Sequence, residues 1–205
     1  MTDESELLLT DHELLALLAM NPGDSTTFTR ELFRLNGVPH QEVLERAGIT
    51  TLLARGMAQA NGEDIDPVGR GALVAAVLTT ATSWLEVAFV TPKVDHVMFV
   101  AASEHGSLLL SLDRLGVHQV RPVDTSNGVA HLGVLLARAY LQDATDGLPA
   151  AAMVTRHAVS ETPRTAHLRR EPNDVWTLKT GNGDAAQTVD VPAAEAFTLF
   201  SAALG

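Results

Sequence analysis

One feature constrains this chain more than any other: its hydrophobic period changes from about 3.6 residues to 2 near residue 82, and the same order of segments then returns. Four β-rich runs follow the change, at 84–91, 96–103, 107–112 and 117–123. Joints such as Thr91-Pro92 and Glu104-His105-Gly106 are too short for anything but antiparallel neighbours, so these runs predict a meander. A helical stretch at 126–142 comes next, with Val129, Leu132, Leu136 and Ala139 at helical spacing. Four more β-rich runs then appear, at 151–159, 164–170, 175–180 and 187–191, before a terminal helix that starts at Pro192. Segments of the two sets match at an offset of about 60–68 residues without residue identity. The pattern predicts an α+β fold of two similar halves, each an antiparallel sheet of about four strands flanked by helices. One continuous eight-stranded sheet crossed by the middle helix is the alternative.

Ahead of this pattern stands a helical region. Thr10-Asp11-His12-Glu13 has capping-box form, and Leu14, Leu15, Leu17 and Leu18 share the helical face that follows. Asn21-Pro22-Gly23 ends that helix. Asp24 or Ser25 caps a second, with Phe28, Leu32 and Leu35 at i, i+4 and i+7 before Asn36-Gly37. A third amphipathic piece spans 40–47, and 49–60 fits helix and strand equally. Asp66-Pro67 reads as N-cap and first helical residue of a helix reaching Ala81, with Leu73, Val74, Val77 and Leu78 inward. The organisation read from this is a single compact domain, 1–205, comprising an acidic helical front (1–66), a first α+β half (67–125) and a second (126–205). Trp84, Val87, Phe89, Phe99, Leu109, Leu136, Trp176, Phe197 and Phe200 are expected in the core.

Composition enters through what it excludes. Without cysteine there are no disulfides, thiolate metal sites or Cys nucleophiles. Fourteen Lys+Arg against 25 Asp+Glu give a net charge of −11, which disfavours an electrostatically driven nucleic-acid binder. No apolar run reaches the roughly 18 residues of a membrane span, and the acidic first residues do not resemble a secretory signal, so a cytoplasmic protein with no membrane insertion is expected. Twelve of the 14 basic residues are Arg and Ala is abundant, which points to a GC-rich, bacterial coding genome.

The residue types that carry chemistry are present without the spacing that chemistry needs. His96, His105 and His118 are separated by 9 and 13 residues, which matches no metal motif. No Ser sits in a nucleophile elbow, and Glu86, Asp95, Glu104 and Asp113 are not pinned as a carboxylate pair. Gly181-Asn182-Gly183-Asp184 precedes a strand rather than a helix, which makes it a hairpin turn and not a phosphate cradle. The sequence therefore predicts no catalysis, no metal and no cofactor.

One segment opposes the global charge: 155–170 holds Arg156, Arg164, Arg169 and Arg170, two histidines and a single acid, Glu161. Within it Arg164, Ala166, Leu168 and Arg170 share one strand face, and Thr165, His167 and Arg169 the other. A strand charged on both faces reads as an edge strand guarded by charge, or as a docking surface. Arg164, His167, Arg169 and Arg170, with the Glu104-His105 turn, are the expected partner-binding residues.

The stretch 49–84, with Gly56-Met57, Asp64-Ile65-Asp66-Pro67 and the apolar run 73–78 ahead of a β-meander, resembles the EspG-like family of type VII (ESX) secretion-associated chaperones. The order of elements and the quasi-twofold halves carry the resemblance across 14–204. It implies a non-enzymatic cytosolic protein that binds the apolar helical tip of secreted substrates and keeps them soluble for export. The reading from another class is an acidic immunity or antitoxin-like protein that neutralises a basic toxin domain.

Overall fold

The computed structural model describes residues 6–37, 40–93, 95–143, 147–181 and 186–205. Helices dominate before residue 82 and strands after it. The chain opens with a short strand that the sequence reading lacks, β1 (Leu7–Thr10), running straight into α1 (Asp11–Ala19). The capping box forms as expected: the Thr10 hydroxyl accepts the Glu13 amide, and the Glu13 carboxylate accepts the Thr10 amide. α2 (Asp24–Leu32), α3 (Gln41–Ala54), the hairpin of β2 (Ala58–Asn61) with β3 (Asp64–Pro67), and α4 (Arg70–Thr80) follow.

Three details of this front depart from the pattern. Gly23, not Asp24 or Ser25, stands at the α2 N-cap, and α2 buries Thr26 and Thr29 while Phe28 and Leu32 stay half-buried. Both threonines are satisfied inside, by the carbonyls of Asn21 and Leu78. Asp66-Pro67 closes β3 rather than opening a helix, and the cap of α4 falls to Gly69 at φ +53. Leu73 points outward; Val74, Val77 and Leu78 are buried.

All eight expected strand runs form: β4 (Ser83–Val90), β5 (Asp95–Ser103), β6 (Gly106–Ser111), β7 (Val117–Pro122), β8 (Ala150–Ala158), β9 (Arg164–Arg170), β10 (Trp176–Thr180) and β11 (Gln187–Val191). α5 (Val129–Asp143) separates the two sets and α6 (Ala196–Leu204) ends the fold. With β1 they hydrogen-bond in one nine-stranded antiparallel order, β1-β7-β6-β5-β4-β8-β9-β10-β11, rather than as two sheets of four. The expected turn at 181–184 falls largely on residues outside those described. β9 is not an edge strand, since it pairs with β8 on one side and β10 on the other. Side-chain alternation tells which face a residue occupies, and it is silent about how many neighbours a strand has.

By packing, the chain divides into two compact units, Met1–Thr82 with Ala101–Val123 and Ser83–Val100 with Asp124–Gly205. In the first, α1 is buried on every side from Glu13 to Leu18. α3 packs on it at Gly48, where a Cβ would stand 1.9 Å from the His12 carbonyl oxygen. In the second, α5 and α6 lie on one face of the strands. Gly133 of α5 seats against Leu85 and Val154, Tyr140 stacks on Phe89 at 4.3 Å, and Phe197 of α6 meets Trp176 edge-on at 5.4 Å. The buried stripe of α5 is Val129, Gly133, Val134, Ala137 and Leu141. Leu136 is therefore only half-buried, the one member of the expected core that is not buried.

Candidate functional site

In the second unit the strand alternation produces two unlike faces. Leu85, Val87 and Phe89 of β4, Ala152 and Val154 of β8, and Ala166 and Leu168 of β9 are buried under the helices. Strand alternation turns the opposite parity away from α5 and α6, and although Trp84 at its start is buried, its side chains are half-buried or exposed from Glu86 onward. The register writes this open face as rows. Ala88, Met153, His167, Lys179 and Thr188 form one; Val90, Ala151, Arg169, Thr177 and Asp190 form the next. Glu86, Thr155 and Thr165 begin a third, with the two threonine Oγ1 atoms 3.0 Å apart.

The centre of this surface is apolar. Met153 is 38% exposed and Val90 49%, with Ala88 and Ala151 between them. A cationic column of His167, Arg169 and Lys179 stands beside that centre, and Glu86 and Asp190 lie on either flank. Arg169 Nε is held at 2.7 Å by Glu171. The His167 imidazole is pushed below its ordinary range, first by desolvation and then by the charges of Lys179 and Arg169. Desolvation also lowers His157, with the Glu86 charge opposing it. Both rings are therefore neutral near pH 7, and the column's standing charge comes from Arg169 and Lys179.

The structure separates the residues singled out from sequence. His167 and Arg169 share the open face. Arg164 and Arg170 belong to the helix-covered parity and reach out from its two ends. Arg164 donates to the Gly205 carbonyl. Arg170 donates Nη1 to the Leu141 carbonyl at 3.0 Å, pairs through Nε with Asp174 at 3.0 Å, and lies 5.5 Å over the Trp176 ring. Glu104 and His105 occupy the exposed β5–β6 turn of the first unit, 3.7 Å apart, where the His105 amide donates to Ser103 Oγ. His118 is bonded to Asp11 at 2.6 Å and accepts the Asp113 amide. Among the described residues no group of three or more His, Cys, Asp or Glu is placed to hold a metal ion, and no helix is long and apolar enough to cross a membrane. Sequence reasoning missed Met153 and Lys179 and weighed Glu86 only as half of a carboxylate pair, because only the register brings them beside His167.

A surface of this kind, an apolar centre with fixed charges at its border, suits protein contact better than bond making. No protein-family model and no curated protein matches the chain. Among solved structures it is similar to the Mycobacterium tuberculosis type VII secretion system chaperone EspG5, determined in complex with a PE25-PPE41 dimer. The superposition covers 97% of this chain and 95% of that one, with a TM-score of 0.58 and 11% sequence identity. At that identity the likeness is one of fold, and it agrees with the EspG-like resemblance drawn from the order of elements.

Proposed function

We propose that this protein is a non-enzymatic, cytoplasmic chaperone or adaptor that holds a helical, export-bound partner of the PE–PPE kind. The observation that supports it is the half-buried to exposed face of β4, β8, β9, β10 and β11 turned away from α5 and α6, on a fold shared along nearly its whole length with a secretion chaperone. In this reading Met153 and Ala88 receive an apolar helix, and Arg169 and Lys179 select acidic residues along its flank. Arg164 and Arg170 hold the strand that presents the surface. The Glu104-His105 turn is a separate candidate contact of the first unit. An immunity protein against a basic toxin would need a densely acidic face, whereas this face sets Glu86 and Asp190 against the cations of Arg169 and Lys179.

Co-expression with a helical PE–PPE-type pair from the same genome, followed by gel filtration, tests the proposal. A stable complex lost on Met153→Glu, with the variant still folded by circular dichroism, is the expected result. A complex indifferent to both Met153→Glu and Arg169→Glu would place the contact elsewhere, and failure of every such pair to bind would overturn the reading.

A further inference from the structure

Independently of that face, the first unit contains a cavity of about 500 Å³. Leu7 of β1, Leu108 of β6 and Val120 of β7 form its wall on the strand side, and Leu73 and Val74 form its wall on α4. Leu7, Val74, Leu108 and Val120 are buried, but Leu73 is 52% exposed at the mouth, so the apolar lining continues out to solvent. Gly69 and Arg70 stand at the start of the α4 wall. Arg70 is the one charged side chain lining the cavity among the described residues, it is exposed, and it makes no ion pair with any of them. The opening turn of α4 carries no acidic side chain that would neutralise it.

We infer that this cavity binds a linear monocarboxylate amphiphile, an aliphatic chain with one anionic end. Its volume lies within the roughly 300–1,000 Å³ of small-molecule sites, and such sites combine a mainly apolar lining with few polar groups that fix orientation. Here the apolar wall accepts the chain and the guanidinium of Arg70, without an ion pair among the described residues, fixes the end that carries the carboxylate, with two parallel hydrogen bonds available to it. A partner's helix lying across this site would meet a lining that is apolar but for one cation, Arg70, whereas protein interfaces usually combine an apolar centre with several polar contacts.

Titration calorimetry of the full chain with decanoate, decanol and decylammonium, each below its aggregation limit, tests the inference. Saturable 1:1 binding is expected, in the order decanoate, decanol, decylammonium. Methyl NMR shifts on adding decanoate should be confined to Leu7, Leu73, Val74, Leu108 and Val120. Arg70→Gln should weaken decanoate by about two- to fivefold, the scale of an exposed ion pair, and leave decanol unchanged. Leu73→Glu, also at an exposed position, should weaken decanoate more than decanol. No saturable binding, equal affinity for the three probes, or shifts outside these residues would overturn it.

Discussion

Nη1 of Arg55 lies 2.8 Å from each carboxylate oxygen of Glu13, joining α1 to the end of α3. The same guanidinium donates Nη2 to the Leu8 carbonyl at 2.9 Å, while Glu13 accepts the Thr10 amide at 2.9 Å. The pair thus takes up backbone groups of β1, the outermost strand, and shields that edge from pairing with another chain. The Glu13 side chain is only 2% exposed, and these hydrogen bonds and the Arg55 charge outweigh its desolvation, so its carboxyl is held below the ordinary range.

A stability term with a definite sign follows. A carboxyl whose pKa is lowered by folding contributes its full stabilisation above the unfolded value, roughly pH 4.3, and loses it as pH falls through the lower folded value. Glu13→Gln should cost about 1–3 kcal/mol at pH 7, and the gap to the unaltered protein should narrow below about pH 4. Urea unfolding at the two pH values reads this directly, and a gap that widened on acidification would contradict it.

Gly48 should reverse the usual effect of a helical glycine. Gly→Ala inside an exposed helix stabilises by up to about 1 kcal/mol. At Gly48 a methyl would meet the His12 carbonyl oxygen at 1.9 Å, and at Gly71 it would meet the Met57 carbonyl oxygen at 2.2 Å. Gly48→Ala and Gly71→Ala should each destabilise by about 2 kcal/mol or more, since backbone rather than a flexible side chain must give way. Gly23→Ala, with nothing within 4 Å and an extended φ of 175, is the steric control: its loss should be limited to that of the glycine cap of α2, about 1 kcal/mol or less.

These positions also show what was legible in the sequence. The eight strand runs and the α1 capping box were readable because alternation and capping are local, and they survive folding unchanged. The buried face of α2 was not, because Thr26 and Thr29 are made inward-facing by carbonyls, one of them 49 residues away. β1 was hidden because four residues running directly into a helix leave no turn signal between the elements. Of the candidate site, the basic segment was visible and its central place was not. Arg164 and Arg170 meet their partners at the ends of the strand, which lets Ala166 and Leu168 bury between them.

His167 supplies a prediction for the open face. Desolvation, Lys179 and Arg169 all favour its neutral form, so its folded pKa lies below the ordinary 6.5. Between that folded value and about 6.5 the unfolded chain binds more protons, so the ring's contribution is unperturbed above the window and costs stability as pH falls through it. Lys179→Met should raise the His167 pKa by removing one of the two nearby cations, and leave His157 unchanged because its causes are burial and Glu86. Imidazole NMR titration of both histidines measures this, and a His167 value indifferent to Lys179→Met would remove Lys179 from the causes and leave burial and Arg169.

Adjacent arginines on β9 should behave oppositely when their charges are reversed. Arg169 lies on the open face with its guanidinium against Glu171, while Arg170 reaches across to the last turn of α5 and accepts no substitute from that helix, whose own last turn carries no basic side chain. Arg170 Nη1 bonds the Leu141 carbonyl at 3.0 Å and the Gln142 carbonyl at 3.4 Å, satisfying groups that a helix end leaves open. Its ion pair with Asp174 and its seat over Trp176 add to that anchoring. Arg170→Glu should therefore destabilise by about 1–3 kcal/mol, because it removes these contacts and places an anion at the negative end of α5. Arg169→Glu should stay within about 0.5 kcal/mol of the unaltered protein, as surface changes do, and act instead on the association rate and salt dependence of a partner bound to the open face. Urea unfolding of the two single variants separates these roles, which a double variant would merge; equal stability losses would mean that Arg169, too, serves the fold rather than the surface.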